Sequence, residues 1–145
     1  MRDKYFDKPT IYVSHPIRGV SGDMKGNCHK AQVGIRKLRH LFPEVDWHLP
    51  ADGDLIIQIL YDVGELSEKA ILDADLEILR ACSGWFYYRF EESGGSEIER
   101  KGAIQANLVD GEEHDVRYDL SKASYPAIRK TFNPIVAKAV KRFRE

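Results

Sequence analysis

Along this chain the spacing of apolar positions switches between a period of two and a period near three and a half, and each switch marks an element. Residues 10–14 (Thr-Ile-Tyr-Val-Ser) are a β-branched and aromatic run halted by His15-Pro16, which predicts a strand opening into a loop. After the glycine-bearing loop 18–23, apolar residues at Met24, Cys28, Ala31, Ile35, Leu38 and Phe42 step by four and three along one face of a helix. Residues 45–49 alternate and end at Pro50, a second strand, and residues 55–61 read as a short helix. Ser67 is placed to cap a helix reaching about Cys82. There Ala70, Ala74, Ile78 and Ala81 run along one side, and Ile71, Leu72, Leu76 and Leu79 widen the stripe, so extensive burial is expected. Residues 85–90 (Trp-Phe-Tyr-Tyr-Arg-Phe) predict a third, aromatic strand, followed by a polar loop over 91–96 and a helix from about Glu97.

This β-α-β-α-β-α order predicts an α/β protein: a three-layer, doubly wound, Rossmann-like and mainly parallel sheet of four to five strands flanked by helices, with ligands at the carboxyl ends of the strands. Beyond it, a polar turn is expected over residues 110–115 and a fourth strand over residues 116–120. Asn133-Pro134 offers a cap and first-turn proline for a last helix, whose stripe is Phe132, Ile135, Val136, Ala139, Val140 and Phe143. Its basic side, Lys138, Lys141, Arg142 and Arg144, reads as a solvated face. With no repeat, low-complexity tract or linker, residues 1–145 are expected to form one domain.

Composition narrows the partners. Lys and Arg number 22 against 23 Asp and Glu, so a net charge of −1 supplies no field to draw in nucleic acid or an anionic membrane, and a small polar ligand is the easier expectation. No stretch approaches the roughly 20 apolar residues of a membrane span, and residues 1–8 lack the apolar run of a signal peptide, so a cytoplasmic protein is expected. Cys28 and Cys82 belong to no Cys-x-x-Cys pair and read as reduced core thiols.

Two strand-to-loop junctions carry groups able to hold a sugar or phosphate. At Ser14-His15-Pro16-Ile17-Arg18-Gly19, an Arg and backbone N–H groups near a helix start can receive an anion, although a plain turn before a helix explains the same residues. At Ser93-Gly94-Gly95-Ser96-Glu97-Ile98-Glu99, the glycines allow close backbone approach. Ser96 and Glu99 also have the Ser-x-x-Glu spacing of a capping box, in which Glu99 would only satisfy a backbone amide. Asp73 and Asp75 lie in a broad apolar stripe, where an Asp is exposed, paired or functional. The local pattern leaves these alternatives open.

Three segments together resemble the nucleoside 2-deoxyribosyltransferase-like family, closest to its 2′-deoxynucleoside 5′-phosphate N-hydrolase branch. Ile11-Tyr12-Val13-Ser14-His15-Pro16-Ile17-Arg18-Gly19 resembles the family's first strand and Ile-Arg-Gly loop, and Asp75-Leu76-Glu77-Ile78-Leu79 its Asp-Leu helix. Ser93-Gly94-Gly95-Ser96-Glu97-Ile98-Glu99, with Ala103 beyond, is similar to its Ser-x-Gly-x-x-x-Glu-x-x-x-Ala signature. The resemblance runs from about Thr10 to Ala103 and departs at Pro16, which stands where the hydrolase branch has a phosphate-binding Ser.

The resemblance implies an N-glycosidase acting on a (deoxy)nucleoside or nucleoside 5′-monophosphate. Glu99 would be the nucleophile, Asp75 the partner acid, and Tyr12 a residue touching nucleophile or sugar. Ser14, His15, Ile17, Arg18, Gly19, Ser93, Gly95 and Ser96 would hold substrate or phosphate. No metal or organic cofactor is implied, and a homodimer or higher homo-oligomer is expected, to which the aromatic residues of 85–90 would lend apolar surface, although a buried strand explains most of them equally well. A covalent, retaining route calls for two carboxyl groups about 5 Å apart, expected of Asp75 and Glu99. The alternatives are a deoxyribosyltransferase, a ribosyl hydrolase of the NAD type and a non-catalytic nucleotide-binding protein.

Overall fold

A computed structural model describes residues 5–17, 19–91, 94–108 and 114–145. Four parallel strands, β1 (Thr10–Ser14), β2 (Asp46–His48), β3 (Gly84–Tyr88) and β4 (Asp115–Val116), lie in the order β2-β1-β3-β4. The helices are α1 (Met24–Leu41), α2 (Asp54–Asp62), α3 (Glu68–Ala81), α4 (Gly94–Gln105) and α5 (Tyr125–Phe143), with a 3₁₀ turn at Pro50–Gly53. The fold is thus the three-layer α/β arrangement expected from the alternation of elements. From β1 the chain moves outward to β2 and then crosses back to β3, so the sheet reverses direction beside β1, the place where open α/β sheets bind ligands.

Every residue of β1 and β3 is buried, and strand alternation divides their side chains between two cores. Ile11, Val13, Phe86 and Tyr88 face α1 and α5, where they meet Ile35, Leu38, Phe132 and Ile135. Tyr12, Trp85 and Tyr87 face α3 and α4, against Leu79, Cys82, Ala103 and Leu108. The aromatic run of β3 therefore fills both cores instead of lending surface to an interface; Phe90, past the strand end, is half-buried.

Several elements differ from their sequence expectation. The last helix begins at Tyr125, capped by the Ser124 hydroxyl on the Ala127 amide and with Pro126 in its first turn, so Pro134 lies inside it. Ser124 and Pro126 supply a complete start signal, and burial of Ile128 and Phe132 holds the early turns that a proline at 134 would otherwise appear to forbid. The fourth strand covers only Asp115–Val116; Leu120 is buried beyond it, its amide bonded to the Tyr88 hydroxyl. Most of the polar turn expected at 110–115 lies outside the described residues.

Ser67 caps α3 as expected, its hydroxyl accepting from Ala70 N–H. Its wide stripe is only partly covered: Leu79 and Ala81 are buried, Ile71, Leu72, Leu76 and Ile78 are half-buried, and Ala70 and Ala74 are exposed. Helix α2 has no buried residue, and Leu55, Ile56, Ile59 and Val63 are each more than half exposed. Neither Cys28 nor Cys82 forms a disulfide; Cys82 is buried at the end of α3, whereas Cys28 is only partly buried, its Sγ 3.8 Å from Asp54 Oδ2. No helix among the described residues is long and apolar enough to cross a membrane.

Candidate active site

The catalytic candidate Glu99 sits in the second turn of α4, on the side facing the sheet. Because α4 starts at Gly94, Ser96 is its third residue rather than its cap, and the capping-box alternative for Glu99 is not realised. The carboxylate instead reaches across to β1. Tyr12 Oη–H donates to Oε2 at 2.5 Å and Ser14 Oγ–H to Oε1 at 2.7 Å. Both partners are fully buried, so Tyr12 and Ser14 stand behind the carboxylate. Strand alternation puts them on the same face, one pleat apart, spaced to hold the two oxygens of a single carboxylate.

The direction of these bonds follows from a third residue. The indole Nε1–H of Trp85 can only donate, and it does so to Ser14 Oγ at 2.7 Å. The Ser14 hydroxyl therefore turns its own proton to Glu99. Residues 14 and 85 are a diagonal pair on adjacent parallel strands, brought together by the β1–β3 register. Sequence reasoning read Trp85 as an apolar side chain, lent to an interface or buried in a strand, and a tryptophan in an apolar strand carries no signal of its hydrogen bond.

Glu99 lines a cleft of about 730 Å³. Asp75 of α3 lines it too, as do His15, Ile17, Gly19, Gly95 and Ser96. Arg18 and Ser93, the other expected members, lie outside the described residues. The close approach of α3 to α4 depends on Gly102, where a Cβ would come within 2.8 Å of the Leu76 side chain. Of the two aspartates in the α3 stripe, Asp73 is exposed and paired with Lys69 at 2.6 Å, whereas Asp75 turns into the cleft. Helix α2, read from sequence only as an element, supplies the opposite wall through Ile57, Gln58 and Tyr61; nothing in its pattern marked it as part of a site.

Burial sets the electrostatics. Loss of solvation pushes the Glu99 carboxyl up to about 7, raised further by the charge of Asp75 and opposed by the hydrogen bonds from Tyr12 and Ser14, which favour the ionised form. Burial likewise raises Asp75 to about 6, with a contribution from the charge of Asp54. Two carboxyl groups in one cleft are thus both raised toward neutrality. Tyr12 is held well above its ordinary value by burial and by Glu99, and so stays protonated as a donor.

His15, besides lining the cleft, ties two loops together. Its ring is buried; Nδ1–H donates to the Pro16 carbonyl at 3.0 Å, and Nε2 accepts from Ala51 N–H at 3.3 Å. Burial lowers its pKa to about 4, so at neutral pH it is an uncharged clamp between the end of β1 and the 3₁₀ turn that leads into α2. Among the described residues, no group of three or more His, Cys, Asp or Glu side chains is arranged to hold a metal ion. Comparison with protein-family models, with curated proteins and with solved structures finds no match.

Proposed function

We propose that the chain is an N-glycosidase that cleaves the N-glycosidic bond of a (deoxy)nucleoside or nucleoside monophosphate, with Glu99 as nucleophile and Asp75 as acid and then base. The observation that carries this reading is a carboxylate aimed into a cleft, fixed through both oxygens by Tyr12 and Ser14 and joined there by a second carboxyl group. It is also the chemistry implied by the resemblance to the nucleoside 2-deoxyribosyltransferase-like family.

Breaking a glycosyl C–N bond builds positive charge at C1′, which a carboxylate stabilises and then traps. A Glu99 oxygen bonds to C1′ while the C1′–N bond breaks, and the base leaves with the electron pair and a proton from Asp75. Asp75 then takes a proton from water as the water oxygen attacks C1′, and the ester bond to Glu99 breaks. A second base in place of water gives transfer. Burial keeps the Asp75 proton nearer neutrality than in an exposed aspartate, as an acid requires, whereas Glu99, raised to about 7, must give up its proton before it can attack.

The test is incubation with a panel of nucleosides, nucleoside monophosphates and NAD, with chromatography of the released base. Wild type releases base, and Glu99→Ala lowers the rate by about 10⁴-fold. Absence of base release from wild type, with tight ligand binding retained by Glu99→Ala, would establish a binding protein instead.

A homo-oligomer belongs to the same reading, with a second copy covering the bare face of α2, which also walls the cleft. Leu55, Ile56, Ile59 and Val63 there form an apolar surface of the kind that interfaces cover. Ile56→Glu is expected to convert the oligomer to monomer in light scattering; an unchanged mass would place the contact elsewhere.

A further inference from the structure

At the Gly19 end of the cleft the loop between β1 and α1 already holds a carboxylate of the chain itself. Glu91, just past β3, accepts from the Asn27 side-chain amide at 2.7 Å and from the Ser21 hydroxyl at 2.9 Å, both through Oε1. The same Asn27 amide bonds the Ile17 carbonyl at 3.0 Å, so Glu91 is tied to the loop that lines the cleft. Contact with Gly19 is close: a Cβ built there would fall 1.8 Å from Glu91 Oε1. Gly19 adopts φ +58°, a conformation that favours glycine in any case.

The start of an 18-residue helix and a glycine turn are an anion-receptive combination, with backbone N–H groups and the positive end of the helix dipole. Here that end faces two carboxylates of the protein, Asp23 as cap and Glu91 beside Asn27. Pro16, at the end of β1, has no N–H to offer. Among the described residues, the rest of the cleft adds no compensating charge. Asp54, Glu68, Asp75, Glu97 and Glu99 line it, with no Lys or Arg among the described lining residues. The nearby Arg89 is engaged by Glu97 at 2.9 Å and Asp115 at 3.0 Å.

We infer that Glu91 occupies the anion position of the β1–α1 loop, so that the cleft takes an uncharged glycoside, a nucleoside with a free 5′-hydroxyl, and rejects its 5′-phosphomonoester. The inference rests on the glycosidase reading for the class of ligand and deepens it. A phosphomonoester carries nearly two negative charges at neutral pH and would meet Glu91 and the cleft carboxylates within a Debye length.

Equilibrium binding by calorimetry tests it, using the four 2′-deoxynucleosides and their 5′-monophosphates on the full chain. Wild type is expected to favour the nucleosides by about tenfold or more, a preference that shrinks with added salt. Glu91→Gln keeps an oxygen for Ser21 and Asn27 and removes the charge; it should strengthen monophosphate binding about tenfold while leaving nucleoside binding within about twofold. Ser21→Ala, which loosens the carboxylate without changing charge, should leave the preference in place and serves as the control for folding. The inference is overturned if wild type prefers the monophosphates and loses that preference in Arg18→Ala, or if Glu91→Gln leaves the ratio unchanged. Binding of either form keeps the glycosidase reading alive whichever way the ratio falls; binding of neither overturns both.

Discussion

The two faces of the sheet are built from the same strands and serve opposite ends. Toward α1 and α5, β1 and β3 present Ile11, Val13, Phe86 and Tyr88, and Trp47, Phe86 and Phe132 pack edge to face around ring centroids 4.9–6.0 Å apart. Toward α3 and α4, the alternate residues Tyr12, Ser14 and Trp85 end in a hydrogen-bonded chain that stops at Glu99. The first face lowers free energy by removing apolar surface from water, and the second retains a carboxyl group at the cost of partial desolvation. One residue of strand register separates the two, and slipping it would put Tyr12 in the apolar core and Val13 opposite Glu99.

The sharpest way to break this contrast is on the apolar side. Phe132→Ala empties the meeting point of three rings and is expected to destabilise the protein by about 3–5 kcal/mol, read from urea unfolding, without altering the pH dependence of any remaining activity. A loss below about 1 kcal/mol would mean that this core can collapse around the hole.

On the polar side the sign reverses. Because the Glu99 carboxyl titrates near 7 in the folded protein and near 4.5 when unfolded, the folded state holds its proton more tightly, and stability falls as pH rises between these values. Glu99→Gln cannot ionise, so its stability relative to wild type should rise by on the order of 3 kcal/mol between pH 4 and pH 8. The amide of Gln offers a donor to one of two hydroxyls already donating, a cost that lowers the difference equally at both pH values. Thermal melts at the two pH values decide it; equal differences at both would sever stability from the ionisation of Glu99.

The smallest expected effect sharpens the comparison most. Ser14→Ala removes one donor that favours the ionised nucleophile, so the acid limb of the kcat/KM profile should move upward by about one pH unit, a loss of about tenfold near pH 6 and little loss at high pH. A uniform drop across all pH values would make Ser14 a packing residue only.

Much of the architecture was legible before any coordinates. The two-residue period of β1, the four-and-three steps of α1 and the Ser67 cap are local signals, formed by neighbours along the chain. The errors were also local. Asn133-Pro134 imitates a helix start, but the stronger cap at Ser124 and the burial of Ile128 and Phe132 place it nine residues earlier. The α3 stripe predicts burial without saying what covers it, and in one copy of the chain it is only partly covered.

The candidate site divides in the same way. From the amino-acid order alone came the elements, their alternation around a parallel sheet and, through resemblance, Glu99, Asp75 and Tyr12 as residues to watch. The order left Ser96-x-x-Glu99 poised between a helix cap and a catalytic group. Only the packing of α4 over β1 decided that this side chain turns to Tyr12 and Ser14, that Trp85 fixes the direction of the Ser14 hydroxyl, and that Glu91 rests on Gly19. Such contacts join positions more than 60 residues apart, as Asn27 to Glu91 does. A helical or strand period encodes which face a residue takes, but not which distant side chain waits opposite, because that depends on how whole elements are docked.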